Sequence, residues 1–533
     1  MRTVLRRPAQ KRVAKKYQSK TFAAPTAGWI PSRNYAVNSP GAARVLENWF
    51  PESDFLRLRG GLTKTATAAA DVVSMFRYNV GGLDKLFAGD ETNIYDATAP
   101  ADADVAMTPV VTGQTSGDYS TQVLTTAGGG FLYAVNGSDN PQLYDGTTWL
   151  EVTGVSSPAL TSSDVTIDLL SYVWAFKSRL FFIEKNSLSV HYLAVDSIGG
   201  ALTEFNLSGV LQDGGSLLFG GTWSSDSGSG QDDRWYAVTS NGELVVYEGS
   251  DPSSSSTWSL VGVYSLGDPL GRHAHMRAGG DPVIATKQGL VPLSEVVQKD
   301  PSALSIAAVS RPIEAEWQRE AIVRTGQDWG ITKWSAGGYA IVTMPTSIVT
   351  TSVPAQCFVV NLETGAWAKF TGGNFRCTQV RGEVLYGAMG DEIYSCETSG
   401  SDNGATYTGR LSFHPDSLDM GTAYKTPTML RGSFLAGSPF TPKFSVAANY
   451  DSSFPSAPGS TLGSNGAVWD TDLWDTGTWE ASSPVSEIEL WNSVSAPGIA
   501  HAPQVQVSSG SLPLPSVNLI SLDLVFEAGA VVV

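Results

Sequence analysis

The residues best suited to chemistry in this chain are few and scattered. Of five histidines only His273 and His275 lie close together. On a strand the two rings of such a pair point to one side, as two metal ligands must. No third ligand stands near them, however, and Arg272 and Arg277 make a cation less welcome. Cys357, Cys377 and Cys396 are odd in number and far apart, the pattern of buried reduced thiols rather than of a zinc site. No nucleophile elbow, phosphate-binding loop, zinc-protease helix or dinucleotide fingerprint occurs. The residues therefore predict no catalytic, metal or cofactor site, and a protein that is not an enzyme.

The elements that would have to position these groups are short strands. Phe131 to Val152 (FLYAVNGSDNPQLYDGTTWLEV) contains a strand, a polar turn, a second strand ending in Leu143-Tyr144-Asp145, and a turn closed by Trp149. Looser copies precede and follow it at a spacing of roughly 50 residues, the length of a four-stranded propeller blade. They include Leu86-Phe87-Ala88 with Ile94-Tyr95-Asp96, Leu180-Phe181-Phe182 with Val190-His191-Tyr192, and Trp235-Tyr236-Ala237 with Val245-Val246-Tyr247. Fifty-five glycines, 28 prolines and only 16% charged residues suit strands joined by tight turns. The expected fold is all-β: an irregular β-propeller of six or seven blades, an additional β-sandwich-like platform or C-terminal domain, and short helical inserts.

The expected divisions are a basic extended arm over 1–40, a connecting segment over 41–70 that contributes to the platform, a propeller over 71–400 and a C-terminal β domain over 401–533. Ala42 to Phe50 suits two helical turns stopped by Pro51, and Phe55, Leu56 and Leu58 mark a strand closed by a turn at Gly60-Gly61. Glu295–Val297 and Pro312–Arg324 are expected to be helical. Propellers can house glycosidases, whose chemistry needs paired carboxylates. Asp226, Asp232, Asp233 and Asp251 lie in Ser/Gly-rich loops, and SSDSGSG is half of an Asp-box pattern without its closing Thr-Trp or an arginine triad. Solvated loops are the expectation there.

Charge is divided unevenly. Residues 1–46 hold ten Lys or Arg and no acid, whereas the rest holds 24 basic and 51 acidic residues, so an arm of +10 precedes a body of −27. The body would repel nucleic-acid phosphates and suits a wall past which DNA slides. The arm fits a presequence, a nucleic-acid-binding tail or, best, an extended segment that docks on an acidic neighbouring subunit. Arg57 and Arg59 share one strand face, which suits an acid-binding stripe or a solvated face. No apolar run approaches the roughly 20 residues that cross a bilayer, and no secretory leader is visible, so no membrane partner is expected.

Several segments taken in order resemble one family, the tail nozzle or tail tubular proteins of short-tailed bacteriophages, including the packaged-DNA-stabilising tail accessory factors. They are Glu47–Gly61 (ENWFPESDFLRLRGG), the LFAG…IYD and LYAVNG…LYDG units, Asn361–Gly372 (NLETGAWAKFTG), Leu385–Tyr394, SDNG at 401–404, WDTDLWDTGTW, and the terminal LISLDLVFEAGA. The resemblance implies a virion protein, made in the host cytoplasm, whose copies form a ring, expected to be hexameric, below the portal and adaptor. The ring would continue the DNA channel without sequence-specific contacts and retain the genome until ejection, with tail fibres or tailspikes as further neighbours. The residues expected to touch neighbouring subunits are Arg6, Arg7, Lys11, Arg12, Lys15, Lys16, Arg57 and Arg59. The competing expectation is a glycan-binding or glycan-cleaving propeller, acting at its axis through Asp232 or Asp233.

Overall fold

In a computed structural model of the protein, the structure describes residues 17–31, 41–224, 233–299, 303–324, 327–421, 423–437, 440–460, 486–510 and 514–531. Six small antiparallel sheets, and the four antiparallel strands that begin a larger one, form seven propeller blades. Blade 1 contains Ser74–Val80, Leu83–Gly89, Asn93–Asp96 and Pro109–Thr112. Blade 2 contains Ser120–Thr126, Gly129–Val135, Gln142–Tyr144 and Trp149–Glu151. Blade 3 begins at Leu170–Phe176 and blade 4 at Leu217–Trp223, each again with four strands. Blade 5 (His275–Ala278, Asp281–Thr286, Gly289–Pro292) has three. Helices Leu293–Gln298, Leu304–Ala307 and Glu314–Val323 follow its third strand, where the other blades have a fourth. Blade 6 runs from Gly330–Trp334 to Trp367–Thr371. Blade 7 takes Cys377–Arg381, Val384–Met389 and Glu392–Ser399, and its fourth strand is Gly61–Thr67 from the other end of the chain.

That last pairing closes the ring. A propeller whose first and last blades were joined only by side-chain packing would leave two sheet edges free to separate. Here the backbone hydrogen bonds between Gly61–Thr67 and Glu392–Ser399 tie the two ends of the ring into one sheet. Between blades the contacts are aromatic. Trp149 and Tyr144 of blade 2 pack on Phe87 of blade 1, with ring centroids 5.0 Å apart in both cases. Trp174 of blade 3 packs on Trp235 of blade 4 at 5.7 Å. The repeated hairpin is thus scaffold: Asp145 accepts from the backbone N–H groups of Thr148 and Thr147, and those bonds hold its carboxyl down at about 2.

The platform is two sheets. One continues blade 6: Trp367–Thr371 meets Ala43–Glu47 through the parallel pair Glu47 and Lys369, followed by Tyr407–Phe413, His501–Ser509 and Pro442–Ala448. The other runs Trp49–Pro51, Leu56–Leu58, Val517–Val531, Ala423–Ala436 and Ser486–Ser493, with Tyr17–Ala23 also laid along Val517–Val531. Propeller and platform therefore share one eight-stranded sheet.

Two local expectations are corrected. Residues 42–50 form no helix. Leu46, Trp49 and Phe50 are buried on strands Ala43–Glu47 and Trp49–Pro51, and Asn48 between them turns the chain at φ 59°. Burying this apolar set against two sheets outweighs its weak helical propensity. Gly60-Gly61 is not a tight turn but a close backbone approach, since a Cβ on Gly61 would lie 2.0 Å from the carbonyl oxygen of Ser401. The helices expected near 295 and 312–324 are present.

Candidate functional site: the Arg59 junction and the propeller axis

Arg59 follows strand Leu56–Leu58 and is fully enclosed where the propeller meets the platform. All five of its N–H donors are used. Nε donates to Asn48 Oδ1 at 2.8 Å, Nη1 to the Gly60 carbonyl at 2.7 Å and to Asp402 Oδ1 at 2.8 Å, and Nη2 to Asp402 Oδ2 at 2.7 Å and the Thr371 carbonyl at 3.2 Å. The guanidinium is sandwiched between the rings of Phe370 at 4.2 Å and Tyr407 at 4.0 Å, and the Tyr407 hydroxyl donates to the Arg59 carbonyl. Burial alone would lower the pKa of Arg59; the hydrogen bonds and charge of Asp402 outweigh it and raise it. Asn48 completes the node, accepting from Thr371 N at 2.9 Å and donating to Thr371 Oγ1 at 2.7 Å and the Thr408 carbonyl at 2.8 Å.

Arg57 stands beside this node, about a quarter exposed, with Nη1 donating to Glu397 at 2.6 Å and Nε to Glu52 at 3.4 Å. Glu52 also accepts from the Tyr339 hydroxyl at 2.6 Å. The expectation that Arg59 contacts another subunit is corrected: a cation with five internal partners and no exposed surface has nothing to offer a neighbour. Arg57 is engaged inside its own chain as well. The arm residues Arg6, Arg7, Lys11, Arg12, Lys15 and Lys16, and the WDTDLWDTGTW segment, lie outside the described residues. Sequence reasoning singled out Arg59 but missed that Asn48, Thr371 and Asp402 are its partners. No spacing rule links residues up to 343 positions apart.

The propeller axis holds a cavity of about 470 Å³. Its polar feature is a crossing contact. Arg272, just before blade 5, reaches Asp118 at the start of blade 2 (Nη2–Oδ2 2.8 Å) and the Ser171 carbonyl of blade 3 (2.8 Å). His273 Nε2 meets the same carboxylate at 3.0 Å. Burial would raise the Asp118 pKa, but the His273 hydrogen bond and the Arg272 charge hold it far below the usual carboxylate range. His275 is separate: its Nε2 meets the Tyr172 hydroxyl at 3.1 Å, and its ring stacks on Phe219 at 4.3 Å. Burial and then the neighbouring His273 lower its pKa to about 4, so it is neutral at pH 7. The two rings have different partners, and among the described residues no cluster of three metal-ligating side chains occurs.

Glycoside cleavage needs a carboxyl group raised so that it can donate a proton. Asp118 is shifted the opposite way and tied to Arg272 and to His273. Asp233, 7% exposed, is not on the cavity wall, and Asp232 lies outside the described residues. Arg272 and His273 instead make a strap across the bore. The thiols behave as buried groups: Cys357 and Cys396 are enclosed and unpaired, and burial pushes Cys357 up to about 12.

No family model and no curated protein matches the chain. Among solved structures, it is similar to Raptor from Chaetomium thermophilum (TM-score 0.39, 10% identity, 64% of this chain and 29% of that one). It is also similar to BBS1N in complex with ARL6DN (0.37, 11%, 66% and 98%) and to the Cps50 (Swd1) β-propeller domain from Myceliophteria thermophila (0.37, 11%, 63% and 100%). The chain thus spans under a third of the Raptor chain. What the strand order establishes is an all-β chain, a seven-bladed propeller closed by strand Gly61–Thr67 and joined to a two-sheet platform.

Proposed function

We propose that this chain is a structural virion protein, one subunit of the ring-shaped tail nozzle of a short-tailed bacteriophage, which continues the DNA channel and holds the packaged genome until ejection. The observation that carries the reading is where the nozzle-like segments meet. Asn48 and Arg59 belong to ENWFPESDFLRLRGG, Thr371 to NLETGAWAKFTG and Asp402 to SDNG, and these three segments join at one buried node. Segments that resemble one family and converge on the junction of two domains are more specific together than any is alone. The acidic body agrees, because a wall of net negative charge does not retain DNA phosphates. With the propeller bore strapped by Arg272, the lumen would be built between copies.

Negative-stain images of the full-length protein, alone and mixed with its adaptor ring, test the reading. A ring with a central bore is the expected result. A strict monomer in both preparations would overturn it.

A further inference from the structure

Blade 5 lacks a fourth strand, and its helical insert, together with a blade 6 loop, gathers exposed aliphatic side chains. On helix Glu314–Val323, Trp317, Glu320 and Ala321 face inward, while Ile322 and Val323 are 73% and 45% exposed. The loop at 344–355, MPTSIVTTSVPA, carries Ile348 at 68% and Val349 at 55% exposure and contains no charged residue. A single side chain ties the two together. Arg324, directly after the helix, is buried; it takes Glu320 at 2.6 Å through Nε, Met344 O at 2.5 Å through Nη1 and Pro354 O through Nη2. Those carbonyls lie near the two ends of the loop. Asn374 fixes a further point, accepting from Thr346 N at 3.1 Å and donating to Thr346 O at 2.9 Å.

These bonds decide what the loop is for. A loop clamped at both ends presents its tip in a fixed place, so little ordering entropy remains to be lost on docking. Four β-branched side chains left in water on such a mount mark a contact surface. Their neighbours within the chain do not explain them, since the inward face of the helix already fills its core through Trp317.

We infer that this Arg324-mounted surface is where a second copy of the chain docks, an inference that rests on the nozzle reading. Charge names the occupant. The seven Lys and Arg of residues 1–16 in one copy complement the net −27 of residues 47–533 in the next, so copies attract one another end to body. Two acidic bodies then come into close contact at least cost where the surface is uncharged, and the stretch 344–355 has no formal charge. A contact between two different surfaces of identical copies passes from copy to copy and forms a ring when the rotation between copies closes, whereas a self-matching patch would stop at a dimer.

The test uses full-length protein under conditions in which the wild type assembles, with mass read by analytical ultracentrifugation. Ile322→Asp and the double variant Ile348→Asp/Val349→Asp bury an unpaired carboxylate in the proposed contact. They are expected to weaken self-association by roughly thirtyfold or more. Because the side chains are exposed, near-ultraviolet circular dichroism and the melting temperature should stay as in the wild type. Val155→Asp, at a residue 95% exposed on the connection after blade 2, should leave the ring intact. Rings of unchanged stability from the Ile322 and Ile348/Val349 variants would overturn this inference while leaving the nozzle reading standing. Intact rings that fail to bind the adaptor would assign the surface to the adaptor instead and overturn it too. A wild type that is monomeric alone and with the adaptor would sink both.

Discussion

Arg59 carries a large single-residue consequence. A guanidinium that spends five donors and both faces inside the protein cannot be traded for a point charge. Arg59→Lys keeps the charge but loses the bidentate grip on Asp402 and the bonds to Asn48 and Thr371. Arg59→Ala leaves Asp402, 19% exposed, without its cation. Urea unfolding should show a loss of roughly 3–5 kcal/mol for Arg59→Ala, and Arg59→Lys should fall between it and the wild type. A loss within 0.5 kcal/mol of zero for Arg59→Ala would remove the node from any role in holding the two domains. His275 makes a second residue-scale prediction. Its folded pKa of about 4 lies below the ordinary value of 6.5, so between those limits the unfolded chain binds the proton that the folded chain refuses. The associated stability is complete above pH 6.5 and is lost as pH falls toward 4. Tyr172, Phe219, His273 and Arg272 surround the ring, and none is an anion that would welcome the added charge. His414 and His501 are shifted in the same direction by burial. The melting temperature should therefore drop between pH 6.5 and 4.5, and His275→Phe should flatten part of that slope. An unchanged slope in the variant would show that His275 is not the group responsible.

At the scale of elements, the strand Gly61–Thr67 matters most, because it belongs to the last blade while lying before the first. Its pairing with Glu392–Ser399 is irregular, with register shifts on both sides of Tyr394–Cys396, and at its first residue the chain passes against Ser401. Gly61 is required there for lack of room rather than for an unusual φ. Gly61→Ala should destabilise by roughly 1–3 kcal/mol, the usual cost of overpacking, and should raise amide exchange on Glu392–Ser399 before that of blades 2 to 4. Uniform protection across the blades in the variant would mean that ring closure does not depend on this approach. The hairpins themselves were legible from the sequence because their signals are local: an apolar run, a turn with Gly or Asn, and a second apolar run within about 15 residues. The segment 42–50 was not, because a stretch with Leu46, Trp49 and Phe50 offers an apolar face in either a helix or a strand. Only the two sheets that receive those side chains decide between them.

At the scale of the whole molecule, the chain is a closed ring of blades locked to a platform by a shared sheet, and it is electrically divided between a basic beginning and an acidic body. The proposed assembly draws on that division, and the ring seen in negative stain, or its absence, is the measurement that bears on it. The sequence by itself determined the all-β class, the repeating hairpins, the strand character of residues 401–533, the helical insert and the charge asymmetry. Each of these is a property of composition or of neighbours within one turn or hairpin. The tertiary structure alone decided that the blades number seven, that Gly61–Thr67 closes the ring, that Arg272 straps the bore, and that Arg59 is an internal bolt rather than a contact for another subunit. Each of those facts depends on residues far apart in the chain, and a side chain's partners are chosen by which strands come to lie beside it, which no local pattern records. The face that Arg57 and Arg59 share was visible as a spacing of two; what that face meets was set by residues 370 to 407.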